Sequence, residues 1–176
     1  MTASRTEAWL RGPVPGVPGL LQPAAHALVE AREVAAEALA ALDDDALWRS
    51  PGGGAASCGY HVLHAAGSLD RLFTYARGEQ LDEAQRAALA AERDPRAPRL
   101  GGAPLRARLE SQVERALAQL RATDPETLLE GRGVGRAALP STVIGLLFHG
   151  AEHTTRHVGQ LVTTAKIVAA AGKGGK

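Results

Sequence analysis

The chain has 176 residues, of which 45% are hydrophobic and only 3% aromatic, and this predicts one domain with a core built mainly from alanine and leucine. The 20 basic and 19 acidic residues leave a net charge of +1, so the strong basic excess typical of nucleic-acid-binding proteins is absent. The single cysteine, Cys58, excludes an internal disulfide and fits a reducing compartment. Without a secretory apolar segment or an apolar run of membrane-spanning length, we expect a cytoplasmic protein that has neither nucleic acid nor a membrane as its partner.

Prolines and glycines divide the chain into three predicted parts. Residues 1–22 are expected to form a Pro/Gly-rich arm, residues 23–170 a helical domain and residues 171–176 a disordered tail. Within the domain, apolar residues recur at spacings of three and four. This predicts four long helices and one short amphipathic helix over about 24–47, 58–77, 82–92, 105–122 and 142–170. The predicted fold class is all-α, an antiparallel four-helix bundle with a short extra helix and irregular loops.

Capping residues and helix breakers set the predicted ends of these helices. Ser57 and Ser141 are expected to be the N-caps of the second and last long helices, and Gly78 ends the second. Three aspartates at 43–45 lie near the end of the first helix, where negative charge is disfavoured, so we expect this end to fray. The glycine-rich stretch 123–140 is predicted to be irregular, with no strand.

Five of the six histidines fall in two groups on predicted helices. His61 and His64 lie on the second long helix, and His149, His153 and His157 lie on the last. Spacings of three and four keep side chains on one helix face, so both groups border the apolar face and point toward a groove between helices. Two histidines one turn apart can chelate a divalent ion. A third from another helix completes a three-nitrogen set that leaves positions open to water or substrate.

Two other interpretations of the histidines stay open. An imidazole beside a core is often a hydrogen-bonded structural residue and not a ligand. The segment His149 to His153 also matches the HxxEH motif, in which Glu152 would act as the base of a metallopeptidase. The helical wheel turns Glu152 about 100° away from His153 toward the polar side, which disfavours that chemistry.

The segments GYHVLHAAGSLDRLFTYARGE and LFHGAEHTTRHVGQLVTTAK resemble the DinB-like (DinB/YfiT) superfamily of metalloenzymes. The resemblance extends from the first predicted helix to residue 166 and is carried chiefly by the second and last long helices. It implies a four-helix bundle that binds a divalent metal through His64, His153 and His157. Three imidazoles suit several transition metals, and zinc or nickel is the expected ion.

Some positions leave the ligand set open or depart from the family pattern. His61 stays an alternative to the ligand from the second helix, because the helical wheel places it nearer the core. His149 and Gln160 are further candidates as ligands or as residues that support the ligands. Many relatives carry an aromatic residue at the position of Ala56 and an arginine at that of Val158. Neither difference removes a ligand, but both affect the expected shape of the groove.

The resemblance also implies a function. Some relatives are S-transferases or isomerases that use a small thiol such as bacillithiol or mycothiol, so we expect a metal-dependent transferase acting on a small-molecule thiol and an electrophilic substrate, in a homodimer. Catalytic residues beyond the metal ligands are not indicated. Arg71, Tyr75 and Arg156 are candidate substrate contacts, although packing or surface ion pairs would equally explain them. Cys58 is expected to be a small core residue.

The alternative function is a stress-linked, non-catalytic metal-binding or structural bundle dimer. A fold by itself does not establish catalysis. The HxxEH metallopeptidase is a third and weaker hypothesis.

Overall fold

A computed structural model describes residues 5–94 and 96–173. In these residues the chain forms six α-helices and one pair of antiparallel strands. The helices are α1 (Gln22–Ala40), α2 (Asp44–Trp48), α3 (Cys58–Ala76), α4 (Glu83–Arg93), α5 (Gly102–Ala122) and α6 (Val143–Lys173). The strands are β1 (Gly131–Val134) and β2 (Leu139–Thr142). No helix in the described part of the chain is both long enough and apolar enough to cross a membrane.

The four long helices α1, α3, α5 and α6 form a bundle in which each packs against two others. Each contributes a fully buried leucine to a common core, namely Leu28, Leu69, Leu105 and Leu161. The predicted all-α four-helix bundle with a short extra helix is therefore confirmed.

The directions of the helices are mixed. Helices α3 and α6 run antiparallel, because Cys58 at the start of α3 lies by Leu161 whereas Phe73 near its end lies by Gly150. Helices α3 and α5 run in the same direction. The Gln119 amide near the end of α5 donates to the Phe73 carbonyl oxygen, and earlier residues of the two helices line a common small cleft. The predicted antiparallel packing is therefore present between α3 and α6, whereas α3 and α5 run parallel.

A glycine sets the close approach of α3 and α6. A Cβ atom on Gly150 would lie 2.8 Å from Phe73 Cε2 and 3.3 Å from Leu69 Cδ1, so a side chain at this position would displace the Phe73 ring or push the helices apart. The contact lies one turn from His153, which is how the two histidine-bearing helices come within reach of each other.

The described part of the N-terminal arm is folded against α1. It contains two short 3-10 helices, Ala8–Arg11 and Gly19–Leu21, and buries Val17. The guanidinium groups of Arg5 and Arg11 in the arm form ion pairs with glutamates of α1. The arm, which was expected to be extended on the surface, is thus partly helical and is held to the bundle by apolar burial and ion pairs. Residues 1–4 of the predicted arm lie outside the described residues.

The aspartates at 43–45 do not fray a long first helix. Helix α1 ends at Ala40, and a separate short helix, α2, begins at Asp44. The Asp43 carboxylate caps α2 by accepting a hydrogen bond of 2.7 Å from the Ala46 amide. The acidic residues therefore lie at a helix N-terminus, where the helix dipole favours them.

The stretch predicted to be irregular contains the β1–β2 hairpin. Arg132 of β1 pairs with Ser141 of β2, so Ser141 is part of a strand and not the cap of the last helix. Thr142 has that role, because its hydroxyl accepts a hydrogen bond of 3.1 Å from the Gly145 amide. Ser57 does cap α3, as predicted, by accepting from the Tyr60 amide.

The last helix also runs further than predicted. Helix α6 continues to Lys173, three residues into the segment expected to be a disordered tail. The rest of that predicted tail, residues 174–176, lies outside the described residues.

Candidate metal centre

Three half-buried histidines from two helices come together at the α3–α6 contact. His64 of α3 faces His153 and His157 of α6, and one ring nitrogen from each lies within 4.8 Å of the others. The Nε2 atoms of His64 and His153 are 3.2 Å apart. The α6 pair is one helical turn apart, so both rings project to the same side, as the spacing predicted. The structure thus brings together the three residues that the family resemblance implied as ligands.

A fourth histidine extends the cluster toward the start of α3. His61 is 7% exposed, and its Nδ1 atom lies 3.2 Å from Nδ1 of His157. His157 therefore has both α3 histidines as neighbours, because its ring centre also lies 4.6 Å from that of His64. The Tyr60 ring stacks on His64, with ring centres 5.5 Å apart and planes 7° from parallel. Tyr60 was not among the predicted site residues.

A buried carboxylate lies behind His64. Glu92, on the short helix α4, has an oxygen 3.0 Å from His64 Nδ1, and its side chain is only 2% exposed. Arg71 Nη1 donates to the other carboxylate oxygen at 2.7 Å. Sequence reasoning missed Glu92, since nothing in the local pattern of α4 distinguishes it from an exposed glutamate. Gly67, a glycine in the middle of a helix, was the one available sign of a close approach at this point.

Burial and repulsion between neighbouring rings lower the pKa values of His61, His153 and His157. The pKa of His157 is lowered from its ordinary value to about 4, first by burial and then by the neighbouring His64 and His153. Burial likewise lowers the pKa of His153 and that of His61, with His64 adding to both. Imidazoles with lowered pKa values keep their lone pairs at neutral pH, which is the form that binds a cation.

The donor set fits a divalent transition metal. Imidazole nitrogens are preferred ligands of zinc, copper, iron and nickel, and all the donors here are nitrogens. Among the described residues, His153 Nδ1 is the buried side-chain nitrogen that no hydrogen bond reaches. A different atom of the same ring, Nε2, faces His64 at 3.2 Å and is the donor that a cation at this cluster would use.

A comparison with known protein families identifies the family of the chain. The sequence model of the DinB superfamily matches residues 27–161, about three quarters of the chain. The chain belongs to the DinB superfamily. The resemblance seen in the sequence is therefore confirmed.

A known crystal structure supports the fold of this DinB-superfamily chain. A conserved protein from Enterococcus faecalis superimposes with a TM-score of 0.67, covering 85% of this chain and 97% of that one. The two sequences are 18% identical, so the likeness concerns the fold alone. No curated protein matches the chain.

Two cavities of the DinB-superfamily protein flank the cluster, with Ala56 and Tyr60 contributing to both. The larger, of about 720 Å³, opens beside His61 and His157 and is also lined by Arg156 and Gln160. The smaller, of about 490 Å³, lies on the Glu92 side and is lined by Trp48, Leu63 and Arg99, among others. Small molecules therefore have room on either side of Tyr60.

The remaining predicted site residues are spread around this centre. Gln160 is exposed on the wall of the larger cavity. Arg71 is buried against Glu92. Tyr75 lines a separate cavity of about 500 Å³ near Leu81 and Arg86, away from the histidines. The structure thus groups Gln160 and Arg71 with the histidine cluster and separates Tyr75 from it.

The HxxEH residues do not form a peptidase-like arrangement. His149 is half exposed, and its Nδ1 atom is 3.4 Å from a Glu152 oxygen. The Arg156 guanidinium binds the Glu152 carboxylate, and this hydrogen bond holds the pKa of Glu152 below its usual range. A carboxylate held ionised by an arginine on the exposed side of α6 is a poor proton acceptor for a reaction at the histidine cluster.

Proposed function

We propose that this DinB-superfamily protein binds one divalent cation, zinc or nickel, through His64, His153 and His157, and that it is a metal-dependent S-transferase for a small thiol. The observation that carries the proposal is the convergence of three imidazole nitrogens from α3 and α6 within 4.8 Å. Metal sites in helical bundles are built in this way, from side chains that project inward from facing helices.

The chemistry follows from the donor set. Three neutral imidazoles leave the charge of a bound cation uncompensated, and such a cation lowers the pKa of a small thiol and stabilises its thiolate. In the overall reaction the thiol loses its proton to solvent, a sulfur–carbon bond forms on the electrophile, and the leaving group departs with its electron pair. The chain itself needs to hold the two reactants in line and to limit access of water.

The larger cavity is the candidate reactant site. It opens beside His61 and His157, and Arg156 and Gln160 on its wall can donate hydrogen bonds to carboxylate or carbonyl groups of a thiol. Arg156 is already paired with Glu152, so an anionic thiol would have to share its guanidinium. Cys58 is not a competing nucleophile, because its side chain is fully buried and burial raises the pKa of its thiol.

The first experiment measures metal content per chain by elemental mass spectrometry on protein purified without a histidine tag. Wild type is compared with the His64→Ala/His153→Ala double variant and with His26→Ala, whose ring lies elsewhere and bonds to the Gly12 carbonyl oxygen. We expect near-stoichiometric metal in wild type and His26→Ala, and its loss in the double variant. Absence of metal after reconstitution with zinc and nickel would contradict the proposal.

The second experiment tests catalysis. Wild type loaded with zinc or nickel is mixed with a panel of small thiols and an electrophile, with and without a chelator, and thiol consumption is followed. Thiol consumption that the chelator abolishes supports the S-transferase.

A non-catalytic bundle is the second candidate function. The cluster joins α3 to α6, so a bound cation would also hold these two helices together. Stoichiometric metal without thiol consumption would favour this candidate. Peptide hydrolysis lost in Glu152→Gln would instead favour the metallopeptidase.

A further inference from the structure

The geometry points to Glu92 as a positioning residue of the metal centre: its carboxylate holds His64 in the tautomer that carries its proton on Nδ1, so that Nε2 presents a lone pair to the cluster. Its effect on metal affinity rests on the proposed function. The assigned tautomer does not, because it is a property of the metal-free chain.

The tautomer follows from the contacts of the two ring nitrogens. His64 Nδ1 lies 3.0 Å from Glu92 Oε2, and Nε2 lies 3.2 Å from His153 Nε2. An ionised carboxylate can only accept a hydrogen bond, so a neutral His64 must carry its proton on Nδ1. Nε2 is then unprotonated and faces His153 with its lone pair. The nitrogen that faces the cluster is therefore the one free to bind a cation.

Arg71 keeps the carboxylate in place. Its Nη1 donates to Glu92 Oε1 at 2.7 Å, and its Nη2 donates to Oε2 at 3.3 Å. The two side chains are 11% and 2% exposed, so this is a largely desolvated pair. A buried carboxylate requires charged or hydrogen-bonding partners on both oxygens, and here Arg71 and His64 supply them. Glu92 is thus fixed from one side by Arg71 and presents a rigid acceptor to His64 on the other.

Gly67 provides the space for this arrangement. A Cβ atom on Gly67 would lie 2.0 Å from Glu92 Oε1 and 2.8 Å from Arg71 Nη1. Gly67 lies between His64 and Arg71 along α3, one turn from each, so these three residues share the face that α4 crosses. Glycine is poorly suited to the middle of a helix, and here its absent side chain is what allows the carboxylate to reach both partners.

The expected consequence concerns affinity. A carboxylate that accepts from the non-ligating nitrogen of a histidine fixes the ring orientation and makes the ligating nitrogen more basic. Loss of such a partner typically weakens metal binding about 10–100-fold.

Two variants test the assignment by different routes. Glu92→Gln removes the charge of the carboxylate, whereas Gly67→Ala leaves Glu92 intact but displaces it, and alanine favours the helix. The matched control is Glu114→Gln. Glu114 of α5 forms an ion pair with Arg32 of α1, so this variant also removes a glutamate charge from an arginine–glutamate pair. Zinc affinity is measured by competition with a chromogenic chelator. We expect it to fall about 10–100-fold in both test variants and to stay at the wild-type value in the control.

The tautomer is measured directly in the metal-free proteins. Two-bond proton–nitrogen correlation spectra of ¹⁵N-labelled chain distinguish Nδ1–H from Nε2–H imidazoles. We expect His64 to be the Nδ1–H form in wild type and Glu114→Gln, and a mixture of tautomers in Glu92→Gln and Gly67→Ala. A structural contribution of Glu92 alone would change the unfolding midpoint without changing this spectrum.

The outcomes separate this assignment from the proposed function. If wild type binds no zinc but His64 changes its tautomer in both test variants, the proposed function fails and the assignment of Glu92 stands. If wild type binds zinc, and both test variants keep the wild-type zinc affinity and the Nδ1–H form of His64, the assignment of Glu92 is overturned. The proposed function is then unaffected. Should Glu92→Gln not fold, Gly67→Ala decides the question by itself.

Discussion

His61 Nδ1 and His157 Nδ1 lie 3.2 Å apart. His157 contacts both α3 histidines, because its ring centre also lies 4.6 Å from that of His64. Nε2 of His64 faces Nε2 of His153, and Nδ1 of His64 faces the Glu92 carboxylate. The two α3 histidines therefore have different environments although they are three residues apart in sequence. His61 is set beside the larger cavity, and His64 is set between the α6 pair and α4.

The first prediction concerns the α6 ligands. His153→Ala or His157→Ala should lower zinc affinity by orders of magnitude, because each removes one of three nitrogens that converge within 4.8 Å. Isothermal titration calorimetry on the metal-free variants measures this. His26→Ala is the control and should bind as wild type does. Equal zinc affinity in all three variants would contradict the assigned site.

The second prediction distinguishes the two α3 histidines. His64→Ala should lose the metal, whereas His61→Ala should retain one ion per chain, since His61 lies outside the three-nitrogen group. Elemental analysis after gel filtration gives the stoichiometry of each variant. The reverse pattern would make His61 the ligand and His64 its support.

The third prediction concerns stability. A cation that bridges α3 and α6 binds only the folded chain, so it stabilises the fold by mass action, by about 2.7 kcal/mol at a free concentration 100 times the Kd. For a chain of this size, chelation should then lower the Tm by roughly 5–10 °C. Differential scanning calorimetry with and without chelator measures the shift. An unchanged Tm in wild type that has been shown to contain metal would argue against a bridging site.

The fourth prediction is an acid-dependent loss of stability in the metal-free protein. The pKa values of His61, His153 and His157 are lowered by folding, that of His157 to about 4, whereas in the unfolded chain they return to about 6.5. Between these pH values the unfolded chain binds more protons, so the free energy of unfolding falls as the pH falls through this window. A decrease on the order of 1–3 kcal/mol is expected between about pH 7 and pH 4.5, measured by urea denaturation.

The matched variant for this pH effect is His157→Gln, which removes the most strongly lowered of the three pKa values. Its stability should depend less steeply on pH than that of wild type. An identical slope in both proteins would show that His157 does not carry the effect.

The fifth prediction concerns the only thiol of the chain. Cys58 is fully buried, and burial raises the pKa of its thiol, so it should react with Ellman's reagent only after unfolding. We expect no more than slow release of thionitrobenzoate from the native protein and one equivalent per chain in guanidinium chloride. Fast reaction of the native protein would reopen a nucleophilic role for Cys58.

Sequence patterns predicted the features that arise within single helices. The caps of α3 and the one-turn spacing of His153 and His157 depend on contacts between residues close in sequence, so they can be recognised without the fold. The aspartates at 43–45 and Ser141 show where local reasoning fails. Alternative local structures, a new short helix and a strand pair, were equally compatible with those residues, and only packing against the bundle selected between them.

The sequence by itself therefore determined the helical class, the family and the histidines that share a helix face, because helix periodicity is a local property. Tertiary structure decided which nitrogens of the α3 and α6 histidines face each other, and it brought the Glu92 carboxylate from a separate helix to His64 Nδ1. These relationships depend on the approach of helices far apart in sequence. Two glycines allow this approach, Gly150 against Phe73 and Gly67 against Glu92. A Cβ atom at either position would collide with the neighbouring side chain and displace it.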